Sequence, residues 1–189
     1  MNNEIYTKVE KFVVKMFKKN NDDLNNLNTK HLLRTVYWLK ELKNDVDEAF
    51  LVAAISHDIE RAYGYTKDNK DGFKSEDRLL FHQNEGASII AKYLQDLGVE
   101  PTFIERVKML VSKHEVGGSD VQNLLKDADS ISFFENNIDF FINKLAVERG
   151  VDKVKEKFEW MFERISSGKA KKIAEVWYKE AMDKISNIK

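Results

Sequence analysis

The 189-residue chain has no cysteine, which excludes disulfides and thiolate metal sites and leaves only nitrogen and oxygen donors for a bound metal. The same absence fits a reducing compartment. No long apolar run opens the chain: Met1-Asn2-Asn3-Glu4 leads into an amphipathic segment. Neither a signal peptide nor a membrane span is therefore expected, and the expected location is cytoplasmic. No single sign of charge dominates. The 31 basic and 32 acidic residues are interspersed and sum to a net charge of -1, without the basic field that polymeric nucleic acid requires. Internal repeats, low-complexity tracts and convincing strands are missing too. What is present is helical periodicity throughout, in a chain whose length suits one domain with its own core.

Ile5, Val9, Phe12, Val13, Met16 and Phe17 recur at helical spacing while Lys8, Lys11, Lys15, Lys18 and Lys19 occupy the other side, which reads as a surface helix with a solvated lysine face. Asn20 to Asp23 end it. Asn28 or Thr29 then caps a second helix in which His31, Thr35, Trp38 and Leu42 share a face, with Arg34 one turn after His31. Asp45 or Asp47 starts a third. Its residues Ala49-Phe50-Leu51-Val52-Ala53-Ala54-Ile55 have no polar side, so it should run through the interior and deliver His57 and Asp58 into a buried place. A buried carboxylate is costly to keep charged, and a coordinated cation removes that cost. Neighbouring helical residues point about 100° apart, which suits flanking or bridging ions better than chelating one ion from one side.

The stretch from Tyr63 to Phe73 is polar apart from its aromatics and holds two glycines, and beside His57 and Asp58 it is the expected substrate-contacting loop. Ser75 and Glu76 open a long helix that stops at Gly98, with His82, Gly86, Ile89, Ile90, Tyr93 and Leu97 on its inner stripe. Gly86, one turn beyond His82, marks a close approach by another element. The only proline, Pro101, fits a first helical position, and Phe103, Val107, Leu110 and Val111 lead inward to His114. Ser119 and Gln122 read as a capping box before Val121, Leu125 and Asp129. Beyond Asp129 the aromatic stripes of three further helical segments read as core packing. The four histidines thus fall one per helix on consecutive helices, at ends or inward faces, alongside Asp58 and Asp129. Helical bundles build metal sites in this way.

This order of residues resembles the HD superfamily of metal-dependent phosphohydrolases over about residues 27 to 135. His31 with Arg34 is similar to the family's H-x-x-R pattern, Ala53-Ala54-Ile55-Ser56-His57-Asp58 to its A-x-L-H-D motif, and Phe81-His82-Gln83-Asn84-Glu85-Gly86-Ala87 to its H-x-x-x-G-A segment. Val111-Ser112-Lys113-His114-Glu115 resembles the helix ending in another histidine. Asp129 matches the family's last aspartate, with Asp127 the alternative, since Ser130 stands where the family usually has lysine or arginine. The H-D-I-G-K run of the superfamily's cyclic-dinucleotide phosphodiesterases reads His57-Asp58-Ile59-Glu60-Arg61 here, which puts Arg61 in the place of their phosphate-contacting lysine.

The resemblance implies an all-α, single-domain helical bundle of the HD-domain type over residues 1-189, with the HD core at 27-135, an N-terminal helix and a C-terminal helical extension at 136-189. It also implies two divalent metal ions: His31, His57 and Asp129 on one, His82 and His114 on the other, Asp58 bridging. Iron or manganese come first, with magnesium, cobalt, nickel or zinc also compatible with nitrogen and oxygen ligands. Two bridged ions would lower the pKa of a shared water from near 16 to around 7 and give a metal-bridging hydroxide at neutral pH. The implied activity is a metal-dependent phosphohydrolase acting on a phosphoester or phosphoanhydride of a small nucleotide-like molecule. Asp58 and Arg61 are then the candidate catalytic residues, and Arg34, Arg61 and Lys113 the candidate substrate-binding cations. A di-iron oxygenase of the same fold and a non-catalytic HD-type binding or signalling module are the alternatives.

Overall fold

The computed structural model describes residues 3–18, 22–64 and 75–188, and all regular structure among them is helical. Most of the expected loop from Tyr63 to Phe73 lies outside the described residues. The helices are α1 (Glu4–Phe17), α2 (Asp23–Leu42), α3 (Glu48–Ser56), α4 (Glu76–Asp96), α5 (Pro101–Val111) and α6 (Asp120–Asn136). They are followed by α7 (138–149), α8 (Val151–Glu163) and α9 (Gly168–Ser186), and a short 3-10 turn, Ile59–Tyr63, follows α3. Helix α7 is not uniform: its central stretch Phe141–Leu145 is π-helical.

The periodicities predict the faces well. Helix α1 buries Val9, Val13, Met16 and Phe17 and exposes Lys8, Lys11, Lys15 and Lys18. Helix α3 is buried along its length from Ala49 to Ser56, as a helix without a polar face must be. Its start is set by Asp47, whose carboxylate accepts the Phe50 N–H at 3.0 Å. Ser119 and Gln122 form the capping box of α6, and Gly98 ends α4 in the left-handed conformation at φ +71°. The start of α2 differs from expectation. Asp22 is its cap, accepting the Asn25 N–H at 2.8 Å, and Asn28 is a buried interior residue. The first turn of α2 faces a cavity on one side and solvent on the other, so its apolar pattern begins only after the true cap.

Two apolar clusters result. The first joins α1 to α5 and the start of α6, from Val9 to Ala128. The second joins the end of α6 to α7, α8 and α9, from Ile131 to Ile185, and is rich in aromatic pairs such as Phe133, Phe134 and Phe158. Helix α6 runs through both and packs along α2 on one side and α9 on the other. Trp38 and Leu42 of α2 touch both clusters. Asp129 sits on α6 at the junction, between Ala128 of the first cluster and Ile131 of the second.

Candidate metal centre

The end of α3 is where the site begins. His57 caps the helix, and its Nδ1 lies 2.9 Å from the Ala54 carbonyl oxygen. A carbonyl can only accept, so Nδ1 carries the proton and Nε2 presents a lone pair. The same device recurs twice. His114 Nδ1 lies 2.8 Å from the Val111 carbonyl, and His82 Nδ1 lies 2.7 Å from Glu60 Oε1. Three rings are thus anchored by an outer acceptor with Nε2 turned inward, the arrangement that orients metal-binding histidines.

The inward atoms converge on Asp58. Its Oδ1 lies 2.9 Å from His82 Nε2 and 3.6 Å from His114 Nε2. Its Oδ2 lies 3.6 Å from His57 Nε2 and 3.9 Å from His31 Nε2. One carboxylate therefore faces two histidine pairs with two different oxygens. Asp129 joins the second pair, with Oδ1 3.0 Å from His31 Nε2 and 3.6 Å from His57 Nε2. Asp127, the alternative, is occupied elsewhere: it accepts the backbone N–H groups of Ser166 and Ser167 at 2.7 and 2.9 Å and so holds the approach to α9.

Close approach of α4 makes this possible. A Cβ at Gly86 would lie 2.9 Å from the His57 carbonyl oxygen, so any side chain there would push α4, and His82 with it, away from α3. Ser132 of α6 fixes the other side, donating from Oγ to the His31 carbonyl oxygen at 2.7 Å.

The donor set fits a cation. His31, His57 and Asp58 form one group, and Asp58, His82 and His114 another, whose ligating atoms lie within 4.8 Å of one another. His57 Nε2 and Asp58 Oδ1 are buried without a well-directed hydrogen bond. Asp58, Glu60, Glu115 and Asp129 are all buried in this patch, and the guanidinium groups in direct contact with them are those of Arg61 and Arg164. The surplus negative charge needs protons or metal ions to be tolerable. Without metal, protons on His82 and His57 offset part of it. Burial opposes the charge on His82, yet Glu60 and Asp58 overcome it and push the imidazole up to about 10; His57 is likewise raised against burial by Asp58 and Asp129. His82 Nε2 and His114 Nε2 stand 3.1 Å apart, a separation that requires a proton or a cation to relieve the facing lone pairs.

The other cations expected from the sequence divide. Arg61 belongs to the site: its guanidinium lies 2.7 Å from Asp58 Oδ2 and opens on a neighbouring cavity. Arg34 is bound in a bidentate pair with Glu135 at 2.7 Å for each bond and stacks on Tyr37, so its charge is satisfied outside the cluster. Lys113 is exposed and lines neither described cavity.

Four residues carry roles that motif reading did not assign. Glu60 anchors His82. Arg164, at the end of α8, reaches Asp129 Oδ2 and Glu115 with its terminal nitrogens and donates from Nε to Ser130 Oγ at 2.9 Å. Asp129 thus splits its oxygens, one toward the histidines and one on Arg164, and a cation stands beside it although Ser130 is not one. Glu115 is drawn down to about 2, against burial, chiefly by Arg164. Lys157, half-buried on α8, is lowered to about 7 by burial first and by Arg164 and Arg61 second. The adjacency of Glu60 and Glu115 to histidines was a usable signal; Arg164 and Lys157 had none, because they lie in a segment without a motif.

A family model described as a domain of unknown function, DUF4202, matches residues 14–185. The chain belongs to the DUF4202 family. In fold this DUF4202 chain is similar to the crystal structure of a predicted HD superfamily hydrolase from an uncultured Thermotogales bacterium. The two share 18% identity with a TM-score of 0.56, covering 95% of this chain and 88% of that one. Among curated proteins no sequence matches. The DUF4202 chain therefore has the all-helical HD fold, with a His/Asp cluster able to hold metal where the sequence motifs fall. No helix among the described residues is long and apolar enough to cross a membrane.

Proposed function

We propose that this DUF4202 protein is a metal-dependent phosphohydrolase that cleaves a phosphoester or phosphoanhydride of a small nucleotide-like molecule. The observation that carries the reading is Asp58, whose two oxygens face two histidine pairs, one of which reaches through His82 a cavity lined by Arg61 and Lys157. His31, His57 and Asp129 would hold one divalent ion, His82 and His114 a second, and Asp58 both. When bound, the ions supply Lewis acidity toward the phosphoryl group and make a water acidic enough to attack near neutral pH.

The chain's own residues do the rest. Ala54, Val111 and Glu60 hold the Nδ1 protons of His57, His114 and His82, so that each Nε2 stays free and correctly aimed. Arg164 orients Asp129 and neutralises Glu115, which otherwise would repel an incoming phosphate. Arg61 and Lys157 line the cavity and offset charge on the phosphoryl oxygens as the bond breaks. An anion beside Lys157 restores the positive charge that its surroundings suppress.

The same ligands suit a di-iron oxygenase, but a cation-rich cavity favours a phosphorylated substrate over a C–H bond. The complete ligand set disfavours a module without metal. The test is element analysis of purified protein followed by phosphate release from a panel of mono-, di- and cyclic nucleotides with manganese or iron. Metal uptake with release from at least one nucleotide is expected. Protein that takes up no metal and is silent across the panel would overturn the reading, and oxygen consumption with a mixed-valent iron signal would replace it with the oxygenase.

A further inference from the structure

The cavity at the cluster has a volume of about 450 Å³, within the range of roughly 300–1,000 Å³ that accommodates whole small molecules rather than a lone phosphate. At one end it meets the cluster through Glu60, Arg61, His82, Glu115 and Lys157. The remainder of its charged wall is Arg78 at the start of α4 and Lys144, Glu148 and Arg149 on α7. The charges are unevenly matched. Glu60 is engaged by His82 and Glu115 by Arg164, which leaves Arg78, Lys144 and Arg149 facing Glu148. Among the described residues Arg78 has no ion-pair partner, and its guanidinium is lowered by burial and then by the repulsion of Arg61 on one hand and Arg149 on the other.

Three arginines, Arg61, Arg78 and Arg149, thus run along one cavity wall close enough to repel, starting at Asp58. Asp58 rewards the placement of Arg61, but among the described residues no ion pair rewards that of Arg78 or Arg149. An occupant with successive negative charges would. The wall that supplies Arg149 and Lys144 is also the one with irregular backbone: the π-helical stretch Phe141–Leu145 faces the cavity with Phe141, Lys144 and Leu145. π-Turns forfeit regular hydrogen bonding and persist mainly where a site uses the displaced side chains.

We propose that Arg78 and Arg149, with Lys144 at the rim, form a second phosphate subsite, so that the substrate bears two or more phosphoryl groups in succession. The group nearest Asp58 and Arg61 is the one cleaved, and the next lies between Arg78 and Arg149. The apolar part of the wall, including Leu27, Phe81 and Phe140, takes the body of the molecule. This substrate class rests on the hydrolase reading above, but the subsite can be tested apart from it.

The test is calorimetric titration of the full-length chain with pyrophosphate and with orthophosphate, in excess chelator so that neither anion acts by stripping metal. Pyrophosphate is expected to bind about tenfold tighter or more, and the double variant R78A/R149A to bring the two anions within about threefold of each other. The control K11A/K15A on α1 removes equal charge from exposed positions that do not line the cavity and should keep the preference. Equal binding of the two anions by the unmodified chain, or a preference that survives R78A/R149A or disappears in K11A/K15A, overturns the subsite. A metal-loaded enzyme that releases phosphate while the preference is absent leaves the hydrolase and removes the subsite. A clear preference with a silent activity panel does the reverse.

Discussion

The two apolar clusters of this chain do different work. The first, around α1 to α5, is mostly aliphatic and carries every histidine of the candidate centre. The second, around α7 to α9, is aromatic and carries no histidine, yet it delivers Arg164 and Lys157 to the same centre and builds half of the adjacent cavity. Ligand residues cluster in the first because a ligand must be held to within about half an ångström, and helices crossing at the close range that Gly86 permits can do that. Charges that act on a substrate tolerate more latitude and can come from a later addition to the wall. On the proposed reading, the first region supplies most of the metal ligands, and the second shares with Arg61 and Arg78 the charges that meet a substrate.

The largest expected effect lies in the first region. Asp58→Asn replaces the one carboxylate that faces both histidine pairs, and metal content and phosphate release should both fall by about a thousandfold or to background. Element analysis and a phosphate assay check it. Full metal content in this variant would remove Asp58 from the centre.

Arg164→Met tests whether the second region is more than scaffold. Outer partners of ligands are typically worth about 10–100-fold in metal affinity, and a loss of that size is expected by competition with a chromogenic chelator. The same change has an acid signature. Glu115 is at about 2 in the folded chain against a usual 4.5, so its contribution to stability is full above about 4.5 and is lost as pH falls toward 2. Without Arg164 that loss shrinks, and unmodified and variant proteins should differ most above pH 5 and converge as pH falls to about 2 in chemical denaturation. Parallel curves at all pH values, with unchanged metal affinity, would make α8 a packing element only.

Metal uptake should depend on pH because His82 is protonated in the metal-free cluster. With the imidazole at about 10 rather than 6.5, its charged form favours the metal-free fold below pH 6.5, and that advantage fades as pH rises through 10. A cation must displace this proton, so apparent affinity should rise about tenfold per pH unit across the neutral range. Titrations in two buffers of different ionisation enthalpy read the released proton directly, and zero release would contradict the ring's assignment as a ligand.

Gly86→Ala should cost about 1–3 kcal/mol and weaken metal binding, since its Cβ would meet the His57 carbonyl oxygen at 2.9 Å. Thermal unfolding with and without metal measures both. The smallest effects are expected for Arg34→Ala and Lys113→Ala. Arg34 should lose about 1 kcal/mol of stability with its Glu135 pair and leave KM unchanged; Lys113 should change neither. A large KM effect from either would move substrate outside the cavity described.

Much of this was legible in the chain. Asp47, Gly98, Pro101, Ser119 and Gln122 carry local chemistry that fixes helix ends whatever surrounds them, and the apolar run from Ala49 to Ile55 has to be interior. His31, His57, Asp58, His82, His114 and Asp129 could be picked because each ends or continues an apolar stripe, which is a property of sequence order. The start of α2 is not legible in the chain because polar residues that line a cavity, such as Asn25 and Asn28, look like a loop. Arg34 reads as a candidate substrate-binding cation because spacing carries no sign of its carboxylate partner, Glu135, which lies 101 positions away.

What sequence determined by itself is therefore the set of helices and the ligands they bear, since periodicity and capping are interactions over one or two turns. Tertiary structure alone decided that Asp127, the alternative to Asp129, is taken up by the backbone N–H groups of Ser166 and Ser167. It also decided that the cation beside Asp129 comes from Arg164, and that Arg61, Arg78 and Arg149 share one wall. Those outcomes depend on how α6, α7 and α8 cross, and ion pairing acts through space between residues whose separation along the chain holds no trace of it.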